Sequence, residues 1–363
     1  MARFRKATIK EVALRAGVST TTVSYFVNGR ENVCSPETGQ RIREAVEEFN
    51  YTANSLVTGM QTNNRHAVGA CLSSPWDPDI TTGGFFFERI WQGICEQADS
   101  DNYSVLRFPA SARNTDRCNA FLDGRVDGIL YHARGKDNAK PARIASAGMP
   151  IVLMTRSTNI PDGCGAVYTN ERYVVELALN RLWDLGHRQI AHLAGPVDQK
   201  AENPTKETED VAVDRKIAYE NWMAERNVAD PHLVAAALWW YNSDVTGIVR
   251  RWRSLSIPPT AILCANDELA VSAIQAAMDI GWSVPNEVSI VGIDNSGAVG
   301  PIRFGLTTVD PKIRGIGRES LAGLLKIING TSPEDVRISV TGAEWIERGT
   351  VSRPLSRALP RLT

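Results

Sequence analysis

The sequence reads as an α/β chain: a small all-α helix-turn-helix head followed by a two-lobed body of parallel sheets. Three observations predict this. Two short helical patterns flank Gly17, and a third follows Ser35-Pro36. From residue 66 to about 355, short apolar runs alternate with helical segments, as in parallel sheets covered on both faces. The 363 residues exceed one small core and suit a large α/β body with an appendage.

The head occupies residues 1–50. Thr8-Ile9-Lys10-Glu11 has capping-box spacing, a hydroxyl three residues before a carboxylate. Ile9, Val12 and Ala13 share one helical face and Ala16 follows one turn later. Gly17 ends that helix; Ser19 caps a second through Phe26, stopped at Asn28-Gly29. Ser35-Pro36 opens a third, whose face is Ile42, Ala45, Val46 and Phe49. In a helix-turn-helix the start of the second helix meets base edges in the major groove. Thr20, Thr21 and Tyr25 lie on the exposed side, whereas Val23 and Phe26 point inward. A threonine hydroxyl can bond to either base of a pair, and its methyl can touch thymine. Arg3, Arg5, Lys6, Lys10, Arg15 and Arg30 face one acid, Glu11, before Glu31, although the whole chain carries only −1. A basic end on a neutral chain suggests local contact with an anion. The bland alternative is a three-helix packing unit with a solvated terminus.

In the body, Ala67–Leu72 is a short apolar strand, a helix runs from about Phe87 to Ser100, and Ser104–Phe108 is a second strand. Asp127–Tyr131, Pro150–Met154, Gln189–Leu193, Ala261–Cys264 and Val288–Gly292 read as further buried strands. The length fits two lobes, and facing α/β lobes make a cleft beyond the carboxyl ends of their strands.

The composition also excludes. None of the six cysteines forms a C-x-x-C pair or a zinc cluster, so no metal is expected. Cys71 and Cys264, in apolar runs, read as reduced core thiols. No apolar stretch can span a membrane, and no h-region follows the basic start, so the expected location is the cytoplasm. Walker and Gly-x-Ser-x-Gly motifs are missing and none of the five histidines pairs with an evident nucleophile, which argues against an enzyme and implies no cofactor.

Ala7-Thr8-Ile9-Lys10-Glu11-Val12-Ala13, Ala16-Gly17-Val18-Ser19, Thr22-Val23-Ser24 and Val27-Asn28-Gly29 together resemble the N-terminal signature of the LacI/GalR family. Tyr51-Thr52-Ala53-Asn54 resembles that family's hinge entry, within a hinge and linker over residues 51–65. The likeness continues through Arg125–Ile129, Leu185–Ala191, Asn266-Asp267, Val284-Pro285, Val288–Gly292, Leu306–Val309 and Glu347–Thr350. It implies a periplasmic-binding-protein-like core, with an N-subdomain at about 66–167 and 310–335 and a C-subdomain at about 168–305 and 336–355, before a tail at 356–363. Crossings between the subdomains are expected near 167, 300–310 and 332–340.

The same resemblance implies a ligand-responsive regulator, by family default a repressor, that binds palindromic double-stranded operator DNA as a homodimer. DNA contacts would come from Thr8, Ser19, Thr20, Thr21, Thr22, Ser24, Tyr25, Asn28, Asn54 and Met60. Met60 takes the place of the hinge leucine that wedges into the central base step. Ala53, Thr58 and Gly59 replace the usual proline and Arg-Ser, so hinge folding should be more marginal than in relatives. The tail holds no heptad run, which favours a dimer over a tetramer.

Effector contacts implied by the resemblance are Phe86, Phe87, Arg215, Trp240, Asn266 and Asp294. A guanidinium forks onto hydroxyls or a carboxylate, a carboxylate accepts paired hydroxyls, and aromatic faces stack on sugars or purines. Arg215 could instead be a surface cation, Asp294 a helix cap, Asn266 a turn residue and one phenylalanine a core residue. Thr155 and Thr169 stand where the family often has aspartates, and residues 201–211 add an acidic insertion, so the pocket is particular to this chain. The residue set favours a sugar or related polyol, with a purine-like ligand second. A transport-type binding protein and a purely architectural DNA protein are the rivals; the head opposes the first and the large body the second.

Overall fold

The computed structural model describes residues 7–28, 31–52, 64–72, 84–108, 119–132, 138–197, 210–238, 245–297 and 305–355. Asn54, Met60 and the hinge substitutions, Trp240 and the acidic insertion up to residue 209 lie outside the described residues. The chain forms two compact units, residues 1–66 and 67–363.

Among the described residues, the first unit holds three α-helices. Helix α1 (Ile9–Ala16) starts at the predicted capping box: Thr8 Oγ1 accepts from the Glu11 amide, and the Glu11 carboxylate accepts from the Thr8 amide at 2.8 Å. Gly17 closes it with φ 68°, a left-handed geometry that glycine adopts without steric penalty. Ser19 caps α2 (Thr20–Val27) by accepting from the Thr22 amide at 3.1 Å, and Ser35 caps α3 (Pro36–Glu48) through the Thr38 amide. Val12, Ala13, Ala16, Val23, Ile42 and Ala45 are buried together, with Phe26, Val46 and Phe49 half-buried around them. Burying each valine or isoleucine contributes roughly 1.5–3 kcal/mol. Arg15 of α1 pairs with Glu48 of α3 at 2.7 Å.

Among the described residues, the second unit contains two six-stranded sheets. The first runs β11-β5-β4-β3-β1-β2, where β1 is Ala67–Cys71, β2 Ser104–Arg107, β3 Gly128–His132, β4 Ile151–Met154, β5 Gly165–Thr169 and β11 Arg337–Val340. All of its pairs are parallel. One face carries α4 (Gly84–Asp101) and α10 (Ile313–Ile328), around Val68, Ile90, Leu130 and Leu324. Below the other face, α5 (Ala139–Ser146) contributes Ile144 to a core with Phe108, Phe121 and Tyr131.

The second sheet runs β12-β10-β9-β8-β6-β7, where β6 is Ile190–Ala194, β7 Val234–Ala236, β8 Ala261–Cys264, β9 Ser289–Ile293, β10 Thr308–Asp310 and β12 Glu344–Ile346. Helices α6 (Glu171–Asp184) and α7 (Asp210–Glu225) cover one face, and α8 (Thr246–Arg253) and α9 (Asp267–Asp279) the other. Buried Trp252 meets its need for an acceptor by donating to the His232 carbonyl at 3.0 Å.

Two details differ from the sequence reading. The third crossing, expected at 332–340, lies at 341–343, because Arg337–Val340 pairs with β5 and belongs to the first sheet. Val336 is buried there, and Ile338 and Val340 pack on the first-lobe core, so three apolar residues hold the segment to that lobe. The second sheet is also not wholly parallel: β12 pairs antiparallel with β10.

Candidate functional site

In the head, Thr20, Thr21 and Tyr25 project from α2 into solvent, while Val23 is buried. Thr22 and Ser24 are half-buried and Asn28 is exposed at the helix end. Ser19 and Thr22 also share a side-chain hydrogen bond of 2.9 Å. The α2 face thus offers two threonines and a tyrosine at one end of a capped helix, a set able to bond to base edges. Thr8, exposed, is engaged with Glu11 as the α1 cap.

In the body, Arg215, Asn266 and Asp294 come together at the carboxyl ends of β8 and β9, where an open α/β sheet places a ligand. All three are buried. The Arg215 guanidinium is fully engaged from three sides. Its Nε donates to Glu171 Oε2 at 2.6 Å, Nη1 donates to the Ala265 carbonyl, and both terminal nitrogens reach Asp294 Oδ1 at 3.4 Å. Burial alone would lower the Arg215 pKa, but its carboxylate neighbours outweigh that and keep it cationic. Asp294 is pushed well above the ordinary carboxylate range by burial, against the pull of Arg215. The short charge pair is therefore Glu171–Arg215. Thr169 donates its hydroxyl to the other Glu171 oxygen and completes that carboxylate's setting.

Asn266 serves as N-cap of α9, its Oδ1 accepting from the Leu269 amide at 2.8 Å. Its neighbour Asp267 is fully buried and accepts from the Thr308 hydroxyl at 2.5 Å and the Ser296 amide at 2.8 Å. Burial pushes Asp267 up to about 6 and Glu268 up to about 7. Asp294 and Asn295 both have positive φ, 119° and 46°, a strained pair of non-glycine residues at the strand end.

Phe87 is buried in the first-lobe core, edge-on to His132 at 5.1 Å and to Phe86 at 5.2 Å. Phe86 is half-buried against the same core. The core alternative therefore describes Phe87. Contacts that bridge the lobes include Arg89, which donates to the Asn295 carbonyl at 2.8 Å, and the Ser157 hydroxyl, which donates to Asp214 at 3.3 Å. Glu171, Arg89 and the Ser157–Asp214 pair were not singled out from the sequence, and Asp267 entered only within the Asn266-Asp267 landmark. An acid in the first turn of a helix, as Glu171 is, reads simply as a partner for the helix dipole.

His187 and His192, which an enzyme could have used, are tied into the frame. His187 bonds to Thr260 and to the Ser352 carbonyl, both at 2.9 Å. His192 bonds to the Leu263 carbonyl and stacks on Tyr219, and burial drives its pKa down to about 4, so it stays neutral.

Comparison with known proteins agrees with both units. The family described as bacterial regulatory proteins, lacI family, matches residues 8–54, and the periplasmic binding protein-like domain matches residues 179–351. Catabolite control protein A of Priestia megaterium is 29% identical over 329 residues, covering 89% of this chain and 92% of the relative. The HTH-type transcriptional regulator CelR of Thermobifida fusca is 28% identical over 346 residues, covering 93% and 96%. The lac repressor dimer bound to operator and the anti-inducer ONPF shares the fold at TM-score 0.77 and 24% identity, over 96% of this chain and 100% of that one. A CelR–cellobiose complex shares it at TM-score 0.67 and 24% identity, over 95% and 99%. A capped helix-turn-helix head that matches the lacI family is thus followed by a periplasmic-binding-protein-like body, the composition of the LacI-family transcription regulators to which the chain is similar.

Proposed function

We propose that this chain is a repressor that binds a palindromic operator as a homodimer and releases or tightens on it when a sugar-like effector occupies the cleft of its body. The observation that carries the effector half is the meeting of Arg215, Asn266 and Asp294 at the ends of β8 and β9. Carboxyl and amide groups at that point accept and donate to ligand hydroxyls. The CelR relative captured with cellobiose supports a carbohydrate. The exposed Thr20, Thr21 and Tyr25 support base reading by α2. Thr8, Ser19, Thr22, Ser24 and Asn28 would position the head, and Asn54 and Met60 would act at the operator centre. Phe86 and Trp240 are the aromatic candidates for the cleft.

Effector binding acts on DNA affinity by linkage: a ligand that prefers one lobe arrangement shifts the population toward it. The test is to select an operator from random double-stranded DNA with the full-length protein, then measure its affinity by fluorescence anisotropy against a sugar panel. The reading expects a two-fold-symmetric consensus and at least one sugar that moves the dissociation constant several-fold. An asymmetric consensus, or no response to any sugar, overturns the corresponding half of the reading.

A further inference from the structure

Arg215 is the group of the cleft best suited to hold an anion, yet it is not offered to one. Its Nε–H points at Glu171 Oε2, 2.6 Å away, and both side chains are almost wholly shielded, 4% and 6% exposed. Its remaining reach goes to the Ala265 carbonyl and Asp294. Glu171 is itself fixed, by the Thr169 hydroxyl on one oxygen and Arg215 on the other. That carboxylate also lines a cavity of about 270 Å³ with Ser157, Asp214 and Asn221. A ligand entering by that cavity thus meets Glu171 before it meets Arg215.

We propose that Glu171 is a built-in ligand of Arg215 that restricts the cleft to uncharged polyhydroxyl compounds and excludes their phosphate esters and uronates. The proposal rests on the effector reading above and narrows it. An incoming phosphate or carboxylate must displace Glu171 from a shielded pair, leaving one carboxylate buried without its partner. That penalty is worth on the order of a hundredfold in affinity or more. A hydroxyl needs no such displacement, because it can donate to Glu171 or Asp294 while the pair stays intact. Arg172 lines the same cavity but is engaged by Glu176 at 2.6 Å, and the other carboxyls nearby, Asp267 and Glu268, add no positive charge to recruit an anion.

The test uses the full chain and inorganic phosphate as probe, at constant ionic strength. Wild type should show no saturable gain in Tm. Glu171→Gln, an isosteric change that frees the guanidinium, should gain a saturable rise of about 2–4 °C at roughly ten times the dissociation constant. Glu171→Ala serves as the second variant, since only folded protein shows such a rise. Saturable stabilisation of wild type by phosphate, or none in either folded variant, overturns the proposal. An independent arm needs no variant: glucose, galactose and cellobiose are compared on wild type with glucose 6-phosphate and glucuronate. A charged sugar that binds tighter than its neutral parent overturns the proposal. If phosphate binds only the variants but no sugar alters operator affinity, Glu171 shields Arg215 as proposed and the sugar-effector reading fails instead.

Discussion

Arg89 donates to the main-chain carbonyl of Asn295 at 2.8 Å, joining α4 of the first lobe to the residue that follows Asp294. Asn295 is held on its other sides as well: its side-chain oxygen accepts from Arg348 at 2.8 Å and its amide reaches Asp310 at 3.3 Å. One residue therefore connects the candidate effector carboxyl, the first lobe and the β10 crossing. Removing Arg89 should loosen this joint without unfolding either lobe. A hydrogen bond from a charged donor contributes roughly 1.5 kcal/mol, the low end suiting a partly exposed site. Arg89→Ala should speed amide exchange of Asp294–Ser296 by about tenfold while global stability falls by no more than about that amount. Unchanged exchange would show that the carbonyl contact carries no load.

Gly93 of α4 and Gly317 of α10 bring the two helices of the first lobe into backbone contact. A Cβ on Gly93 would lie 2.0 Å from the Arg314 carbonyl oxygen, and one on Gly317 would lie 2.1 Å from that of Ile90. Neither obstacle is a side chain that can swing away. Gly93→Ala and Gly317→Ala should each cost about 3 kcal/mol, the upper range for overpacking, in urea unfolding. Gly247, near the start of α8, is the control: nothing lies within 4 Å of its would-be Cβ. Gly247→Ala should be neutral or stabilising by about 0.5–1 kcal/mol.

These two relationships mark what the sequence could and could not convey. The caps at Thr8, Ser19 and Ser35 and the apolar strand runs are local signals, and each appears within a residue or two of its predicted place. Arg215 and Asp294 are named together because they belong to a long resemblance, and the two side chains lie 3.4 Å apart. Glu171 was not legible, because its partner lies 44 residues away and its own position reads as ordinary helix-start acidity. The placement of β11 in the first sheet is equally non-local: it depends on pairing with β5, far back along the chain.

If α2 reads bases as proposed, reading and folding separate along that one helix. Thr21 is exposed and Val23 is fully buried, two residues apart on α2. Thr21→Ala should leave Tm nearly unchanged and weaken the selected operator by about 1–3 kcal/mol, mostly at one base position. Val23→Ala should destabilise the head by about 1–3 kcal/mol, and lose DNA binding of every sequence alike as the head unfolds. Anisotropy on base-substituted operators, with circular dichroism melts alongside, distinguishes the two. Equal loss on all sequences for Thr21→Ala would remove it from base reading.

The buried carboxyls set an unusual pH dependence. Asp267 and Glu268 titrate near 6 and 7 in the folded chain, and Asp294 stands well above its ordinary value, each raised chiefly by burial. An acid whose folded pKa exceeds its unfolded one binds its proton more tightly when native. Between the two values the native state carries more protons, so stability falls as pH rises through that window. For Asp267, raised from 3.8 to about 6, the fall is on the order of 3 kcal/mol between about pH 4 and 6. Tm should therefore rise as pH is lowered from 7.5 toward 5.5, before exposed acid pairs such as Asp123–Arg125 begin to be lost. Glu268 Oε1 is buried with no hydrogen-bond partner among the described residues, so Glu268→Gln should flatten the upper part of the curve, near pH 7, without lowering Tm at pH 5.5. A Tm that climbs from pH 5.5 to 7.5 in wild type would show that these carboxyls are ionised in the native protein and held by partners stronger than the hydrogen bonds described for Asp267.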